Sequence, residues 1–301
     1  MATTIPFVRD IDFEYGSCAQ LSPSIRRVIA KNPSAFTFTG TGTYIIGRDR
    51  VAVIDPGPRD PRHVDAILAA TEGEKITTVL ITHTHNDHSP ATELLLKHCD
   101  ARTYGFGPHG AGKNTEDEVV VEEGGDMTFQ PDEFVRHGDH VSDGDWEVEC
   151  VYTPGHTSNH ICYRLASEGV LFTGDHVMGW STSVISPPDG DMTSYMRSLN
   201  LLLEHPDQTY WPTHGPAITK PRNHVEAFVA HRLDREAQII LQLKERRHHI
   251  ADMVPIMYKD VDQRLHPAAA RSVYAAALHM LEKDQIRCDG EPSLNAAFYL
   301  R

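Results

Sequence analysis

The chain has no apolar run approaching the roughly 20 residues needed to cross a bilayer, so it offers no membrane-spanning segment. Residues 1–10 lack the basic, apolar and small-residue order of a secretory signal. Cysteine is sparse. Cys18, Cys99, Cys150, Cys162 and Cys288 are odd in number, scattered and never spaced C-x-x-C, which argues against a disulfide framework and for reduced, mostly buried thiols. A cytoplasmic protein is expected. Basic charge is also short: 28 Lys and Arg stand against 42 Asp and Glu, and a net charge of −14 has the wrong sign for a surface that grips nucleic acid throughout. No internal repeat and no low-complexity tract interrupts the chain.

What is present is ordinary globular composition: 301 residues, 40% of them hydrophobic, enough for one large core or a large domain with a small one. The charge is unevenly spread. From Lys220 to Arg301 there are 13 basic and 11 acidic residues, so that stretch is +2 and the remainder carries −16. The first 220 residues alternate short β-branched runs with turns rich in Gly, Pro, Asp or His and then amphipathic segments, which predicts an α/β sandwich. Strands are expected at 43–46, 51–54, 78–82, 148–153, 170–173 and 209–211. Helices are expected at 62–71, 90–97 and 192–204, started by Pro61, Ser89 and Asp191. The acidic, glycine-containing residues 114–132 read as an exposed loop or edge hairpin, with a lid as the sharper alternative. Composition shifts after His214-Gly215-Pro216, which divides the chain into residues 1–220 and 221–301. A long polar helix over 222–247, helices over 252–258 and 267–284, and extended runs at 286–288 and 296–300 follow in the order of a winged helix.

The chemistry concentrates in Thr82-His83-Thr84-His85-Asn86-Asp87-His88. Residues one and two apart do not share a helical face, so a tight loop leaving the strand Thr78-Val79-Leu80-Ile81 is the element that brings His83, His85, Asp87 and His88 together. Imidazole with carboxylate favours zinc or another borderline divalent ion over magnesium or calcium. His156, Asp175 and His214 each follow an expected strand end, so four strand ends would deliver ligands to one rim. Five histidines and two aspartates suffice for two metals if one carboxylate bridges them. A water shared by two divalent ions would then be acidic enough to act as nucleophile near neutral pH. Asp87 is placed to orient that water or pass on its proton. His160 and His176 neighbour ligands and are candidate supporting groups, and Tyr195 is either an oxyanion donor or a packed helix tyrosine.

H-x-H-x-D-H followed by Gly155-His156, Gly174-Asp175 and His214 resembles the metallo-β-lactamase superfamily over residues 35–220. The resemblance implies an αββα sandwich with a small C-terminal winged-helix domain and two zinc ions, with manganese or iron as alternatives. It implies His83, His85 and His156 on one metal, Asp87, His88 and His214 on the other, and Asp175 as the bridge. Asp55, in Val53-Ile54-Asp55-Pro56-Gly57, matches the strand-end aspartate that supports the metal loop without binding metal.

The superfamily spans many reactions, so the fold alone does not choose the substrate. Secreted β-lactamases of the related ligand type usually lack the bridging aspartate and carry a signal, so lactam cleavage here would be incidental. Flavodiiron proteins place Glu where His85 stands, the β-CASP nuclease insert does not fit between Asp175 and His214, and glyoxalase II has Gly-Gly where this chain has Ser89-Pro90. Over its whole length the chain resembles the beta-lactamase-like protein 2 group, which joins this catalytic domain to a winged helix and includes single-strand endoribonucleases. The match includes Thr153-Pro154-Gly155-His156-Thr157, the helix Ser194-Tyr195-Met196-Arg197-Ser198-Leu199 and His231-Arg232. The expected recognition helix offers only Arg271 and Lys283 among alanines, too few for phosphate contacts and better suited to packing or homodimerisation. The expected activity is therefore hydrolysis of a small ester, thioester or lactone. Phosphodiester cleavage of single-stranded RNA is the alternative, and an iron-dependent oxygenase or a non-catalytic binding module stands further off.

Overall fold

A computed structural model describes residues 4–113 and 124–301. Seven strands form the larger sheet in sequence order: β1 (Cys18–Gln20), β2 (Ile25–Ile29), β3 (Gly42–Ile46), β4 (Arg50–Ile54), β5 (Lys75–Leu80), β6 (Arg102–Gly105) and β7 (Glu133–Phe134). The first four pair antiparallel and the rest parallel. Five strands form the second sheet: β8 (His140–Asp143), β9 (Trp146–Tyr152), β10 (Ile161–Leu165), β11 (Val170–Gly174) and β12 (Thr209–Pro212), in the order β12-β11-β10-β9-β8. Helices α1 (Pro61–Ala70) and α2 (Thr92–Leu95) flank the first sheet; α3 (Met192–Leu202) and α4 (Pro221–Lys244) flank the second.

Alternation along the strands builds the layers. Tyr44, Ile46, Ala52, Ile54 and Leu80 face Val148, Cys150, Ile161, Tyr163 and Phe172 between the two sheets. Their neighbours Ile45, Val51, Val53, Val79 and Ile81 point the other way, onto Val64, Ile67 and Leu95 of the helices. On the far side, Val151, Cys162, Leu171 and Tyr210 pack against Tyr195, Leu199 and Phe228. Strands buried on both faces read as nearly continuous apolar runs, which is why β3, β4, β5, β9 and β11 were legible in the sequence.

The expected αββα sandwich is the observed one. Helix α1 starts where Pro61 predicts, with Asp60 accepting from Arg62 N, and Asp191 caps α3 by accepting from Ser194 N at 2.7 Å. The helix expected at 90–97 shrinks to Thr92–Leu95; no side chain caps its start, and the Ser89 hydroxyl bonds the Asp126 carboxylate at 2.7 Å. Within the acidic segment, residues 114–123 lie outside the described structure. The remainder is no exposed loop at Asp126: that residue is 6% exposed, and its carboxylate accepts from Ser89, Thr128 and the Phe129 amide.

Beyond the sandwich, α5 (Ile250–Met257), α6 (His266–Glu282) and the antiparallel pair β13 (Ile286–Cys288) and β14 (Phe298–Leu300) follow the order of a winged helix. Ile239 and Leu243 of α4 join Met253, Val273, Ala276, Met280 and Phe298 in a separate core. Phe228, earlier on α4, belongs to the sandwich, so this helix is shared by two cores. No helix among the described residues is long and apolar enough to cross a membrane.

Candidate metal centre

Strand direction explains why the ligand residues meet. β4 and β5 are parallel, so Asp55 and the loop 81–89 leave the first sheet at the same end. β9 and β11 are both antiparallel to β10 and therefore run alike, and β12 is parallel to β11. His156, Asp175 and His214 thus leave the second sheet at one end too. Hydrogen bonds join the two ends into one rim: Ile161 N to Thr82 O at 2.8 Å, Gly42 N to Thr213 O at 2.7 Å, and the Tyr163 hydroxyl to Ile81 O at 2.8 Å.

All seven predicted residues are brought together. His83, His85 and His156 form one group, Asp87, His88 and His214 another, and His83, His88 and Asp175 overlap both. In the first, His83 Nε2 and His156 Nε2 lie 3.0 and 3.1 Å from His85 Nδ1. In the second, Asp87 Oδ2 is 3.5 Å from His88 Nε2 and 3.1 Å from His214 Nε2. Asp175 stands between them. Its Oδ1 is 3.6 Å from His88 Nε2 and 3.4 Å from His214 Nε2, and its Oδ2 is 3.7 Å from His156 Nε2.

The residues fit divalent cations. One imidazole N–H cannot satisfy two converging nitrogens, and His88 Nε2 and Asp175 Oδ1 are buried without any hydrogen-bond partner, facing the cluster. The outward nitrogens are used up. Asp55 Oδ2 bonds His88 Nδ1 at 2.9 Å, Val184 O bonds His156 Nδ1 at 2.6 Å, and Gly40 O bonds His214 Nδ1 at 3.2 Å, which turns each Nε2 inward as a lone-pair donor. Asp55 itself is fully buried and receives Thr82 N at 2.8 Å and the hydroxyls of Thr82 and Thr213 at 2.7 and 3.2 Å. It supports the loop and lies one bond back from the cluster.

The supporting candidates separate. His160 accepts the Asp175 backbone N–H at Nε2 (3.2 Å) and bonds Thr153 Oγ1 through Nδ1 (2.9 Å), so it holds the main chain of Asp175. His176 is sealed in the core with neither ring nitrogen bonded. Tyr195 is no oxyanion donor: it is fully buried and its hydroxyl donates to the His176 carbonyl at 2.9 Å. Sequence reasoning passed over Thr84, His109 and Asn159, which bond one another behind His85 through Thr84 Oγ1 at 3.0 and 2.9 Å. Lone polar residues in loops carry no signal of such a network.

As protein groups alone, the cluster polarises. Burial and then neighbouring histidines push His85 down to about 3 and His83 well below the ordinary imidazole range. Burial also acts against charging His88 and His214, but the carboxylates outweigh it, lifting His214 to about 10 and His88 well up. Burial raises Asp87 and Asp175 less than His88 and His214 lower them, so both stay carboxylates. The charge that holds these carboxylates is the charge a cation would bring.

The family model of the metallo-beta-lactamase superfamily matches residues 37–214, and that of the beta-lactamase associated winged helix domain matches 250–292. This chain belongs to the metallo-β-lactamase superfamily. It is 32% identical over 265 residues to a beta-lactamase-like protein 2 homolog of Drosophila melanogaster, covering 84% of this chain and 86% of that one. It is 31% identical over 265 residues to an atrochrysone carboxyl ACP thioesterase of Aspergillus chevalieri, covering 86% and 78%. Among solved structures, a beta-lactamase domain protein from Burkholderia ambifaria shares the fold with a TM-score of 0.79 at 18% identity over 97% of this chain and 96% of that one. The chain is thus an enzyme, a hydrolase of this superfamily, with a His/Asp cluster fit for metal and a C-terminal winged helix.

Proposed function

We propose that the enzyme is a dizinc hydrolase of a small ester, thioester or lactone, with thioester first. The observation that carries two metals is Asp175, whose two oxygens face different groups of histidines. His83, His85 and His156 would hold one ion, Asp87, His88 and His214 the other, and Asp175 both. Two such ions supply an acidified water and a Lewis acid for the carbonyl oxygen. Asp87 is the most open of the carboxylates, its side chain 26% exposed against 10% for Asp175. A carboxylate at this place would orient the water or take up its proton. Burial of His88 and His214 keeps bulk water from their inward nitrogens.

The thioester preference is supported by the Aspergillus relative's name. RNA cleavage is disfavoured at α6, because Arg271 is its one Lys or Arg among the described residues and Lys283, which caps it, is paired with Glu236 at 3.2 Å. The cysteine pattern is consistent with a cytoplasmic setting. The test is metal content together with turnover of a thioester, a lactone and single-stranded RNA by the wild type and Asp175→Ala. About two zincs and Asp175-dependent thioester or lactone hydrolysis are expected. Asp175-dependent RNA cleavage without ester turnover, or a single iron per chain, would reject the reading.

A further inference from the structure

The turn that orients His156 is held from outside the sandwich. The bond from His156 Nδ1 to Val184 O keeps the proton on Nδ1 and leaves the Nε2 lone pair facing the cluster. Yet Val184 lies in an irregular connection between β11 and α3, where no ladder fixes a carbonyl. The neighbouring peptide is pinned instead. Arg232 of α4 is 6% exposed and donates from Nη2 to the Ser183 carbonyl at 2.6 Å. From the other side, the Ser183 hydroxyl donates at 2.7 Å to the His176 carbonyl, which also receives Tyr195. The Arg232 guanidinium lies 5.1 Å over the Tyr195 ring.

A buried guanidinium is a costly way to fill space. A methionine or leucine would pack α4 against α3 without desolvating a charge. What arginine adds is a charge-assisted bond, stronger than a neutral one, aimed at a fixed point. That point is one residue from the carbonyl that orients His156. The arginine also sits midway along the helix that sandwich and C-terminal core share.

We propose that Arg232 is a positioning residue of the metal centre: it fixes residues 183–184, and through them the tautomer and ring orientation of His156. The inference rests on reading the cluster as a metal centre.

The experiment uses the full chain with Arg232→Met, Arg232→Lys and Ser183→Ala. Chelator competition resolves the zinc ions stepwise, ¹⁵N NMR of chelator-treated protein reads the His156 tautomer, and circular dichroism with a melting scan reads the fold. Arg232→Met is expected to weaken one of the two zinc ions about tenfold or more, leave the other unchanged, and lower the Nδ1-protonated fraction of His156. Ser183→Ala should give the same one-ion signature more weakly, and lysine should restore the melting temperature better than the affinity. Unchanged zinc affinities and tautomer would overturn the proposal. So would equal weakening of both ions in step with a lower melting temperature, which marks a merely structural arginine. Should Arg232→Met not fold, Arg232→Lys and Ser183→Ala decide by the same readouts. Should the wild type take up no zinc, the metal reading fails, and the tautomer measurement still decides the role of Arg232.

Discussion

At the rim of the sandwich the side chains sealed from solvent include His83, His88, Asp55, His160, His176 and His214; in the C-terminal core they are Ile239, Leu243, Met253, Ala276, Met280 and Phe298. Burial is equally deep in both and acts oppositely. The C-terminal core gains free energy from each apolar group removed from water. The rim loses it on every charge and lone pair it hides, and recovers it only through fixed partners and a cation. One region is therefore governed by volume, the other by protons and fixed polar partners.

Four measurements sharpen or break that contrast. The largest effect is expected from Asp175→Ala, which should lower kcat/KM about 10³-fold, roughly 4 kcal/mol, while the melting temperature of the C-terminal core stays put. Parallel loss of both would show the two regions to be one cooperative unit. In the other region, Met280→Ala should cost about 2–5 kcal/mol of unfolding free energy in denaturant titrations, with zinc per folded chain unchanged. Intermediate in size, Asp55→Asn leaves a shape like the original but removes the carboxylate on His88, and metal affinity should drop about 10–100-fold by chelator competition.

The smallest effect for any one group is the pH slope of chelator-treated protein, at most about 1.4 kcal/mol per pH unit for a single histidine. Burial holds His63 and His231 down at about 4 and His85 and His176 at about 3. An unfolded chain binds those protons from about pH 6.5 downward, so their stabilisation is whole above 6.5 and is lost as pH falls toward 4 and 3. His214 acts in the opposite direction. Its value, lifted to about 10, gives stability that is whole below 6.5 and is lost as pH rises toward 10. Denaturant midpoints across pH 4–10 should therefore trace a dome, flattened on the alkaline side by zinc. A flat profile would mean the rim opens to water and the contrast is wrong.

The ligand loop was legible because its spacing fits no helix and because strand ends precede every other ligand. The inner strands showed through their unbroken apolar runs. Strand β2 did not, since Arg26 and Arg27 in Ile25–Ile29 read as surface residues. Both are buried: Arg26 is paired with Glu74 at 2.6 Å and capped by Gly47 O at 3.2 Å, an arrangement 48 residues apart that periodicity cannot see. Strand β10 was masked by the polar Ser158-Asn159-His160 before it and by Arg164 within it. The His/Asp cluster's outward bonds to Val184 and Gly40 use main-chain carbonyls, and carbonyls have no letter in a sequence. Of the two readings the sequence left for Tyr195, the structure shows the packed helix tyrosine, its hydroxyl spent on the His176 carbonyl.

The glycines preceding two of the ligands extend the argument to variation. Gly155 has φ 138° and Gly174 φ 51°; a Cβ at the first would fall on the main chain of Tyr195, and at the second on the ring of His160. Neither glycine has a side chain to offer the cluster. In a library that spares every His and Asp of the cluster and randomises everything else, these two positions would still tolerate almost no substitution. Inheritance of the centre thus depends on places where a side chain must be missing as firmly as on those where one must be present.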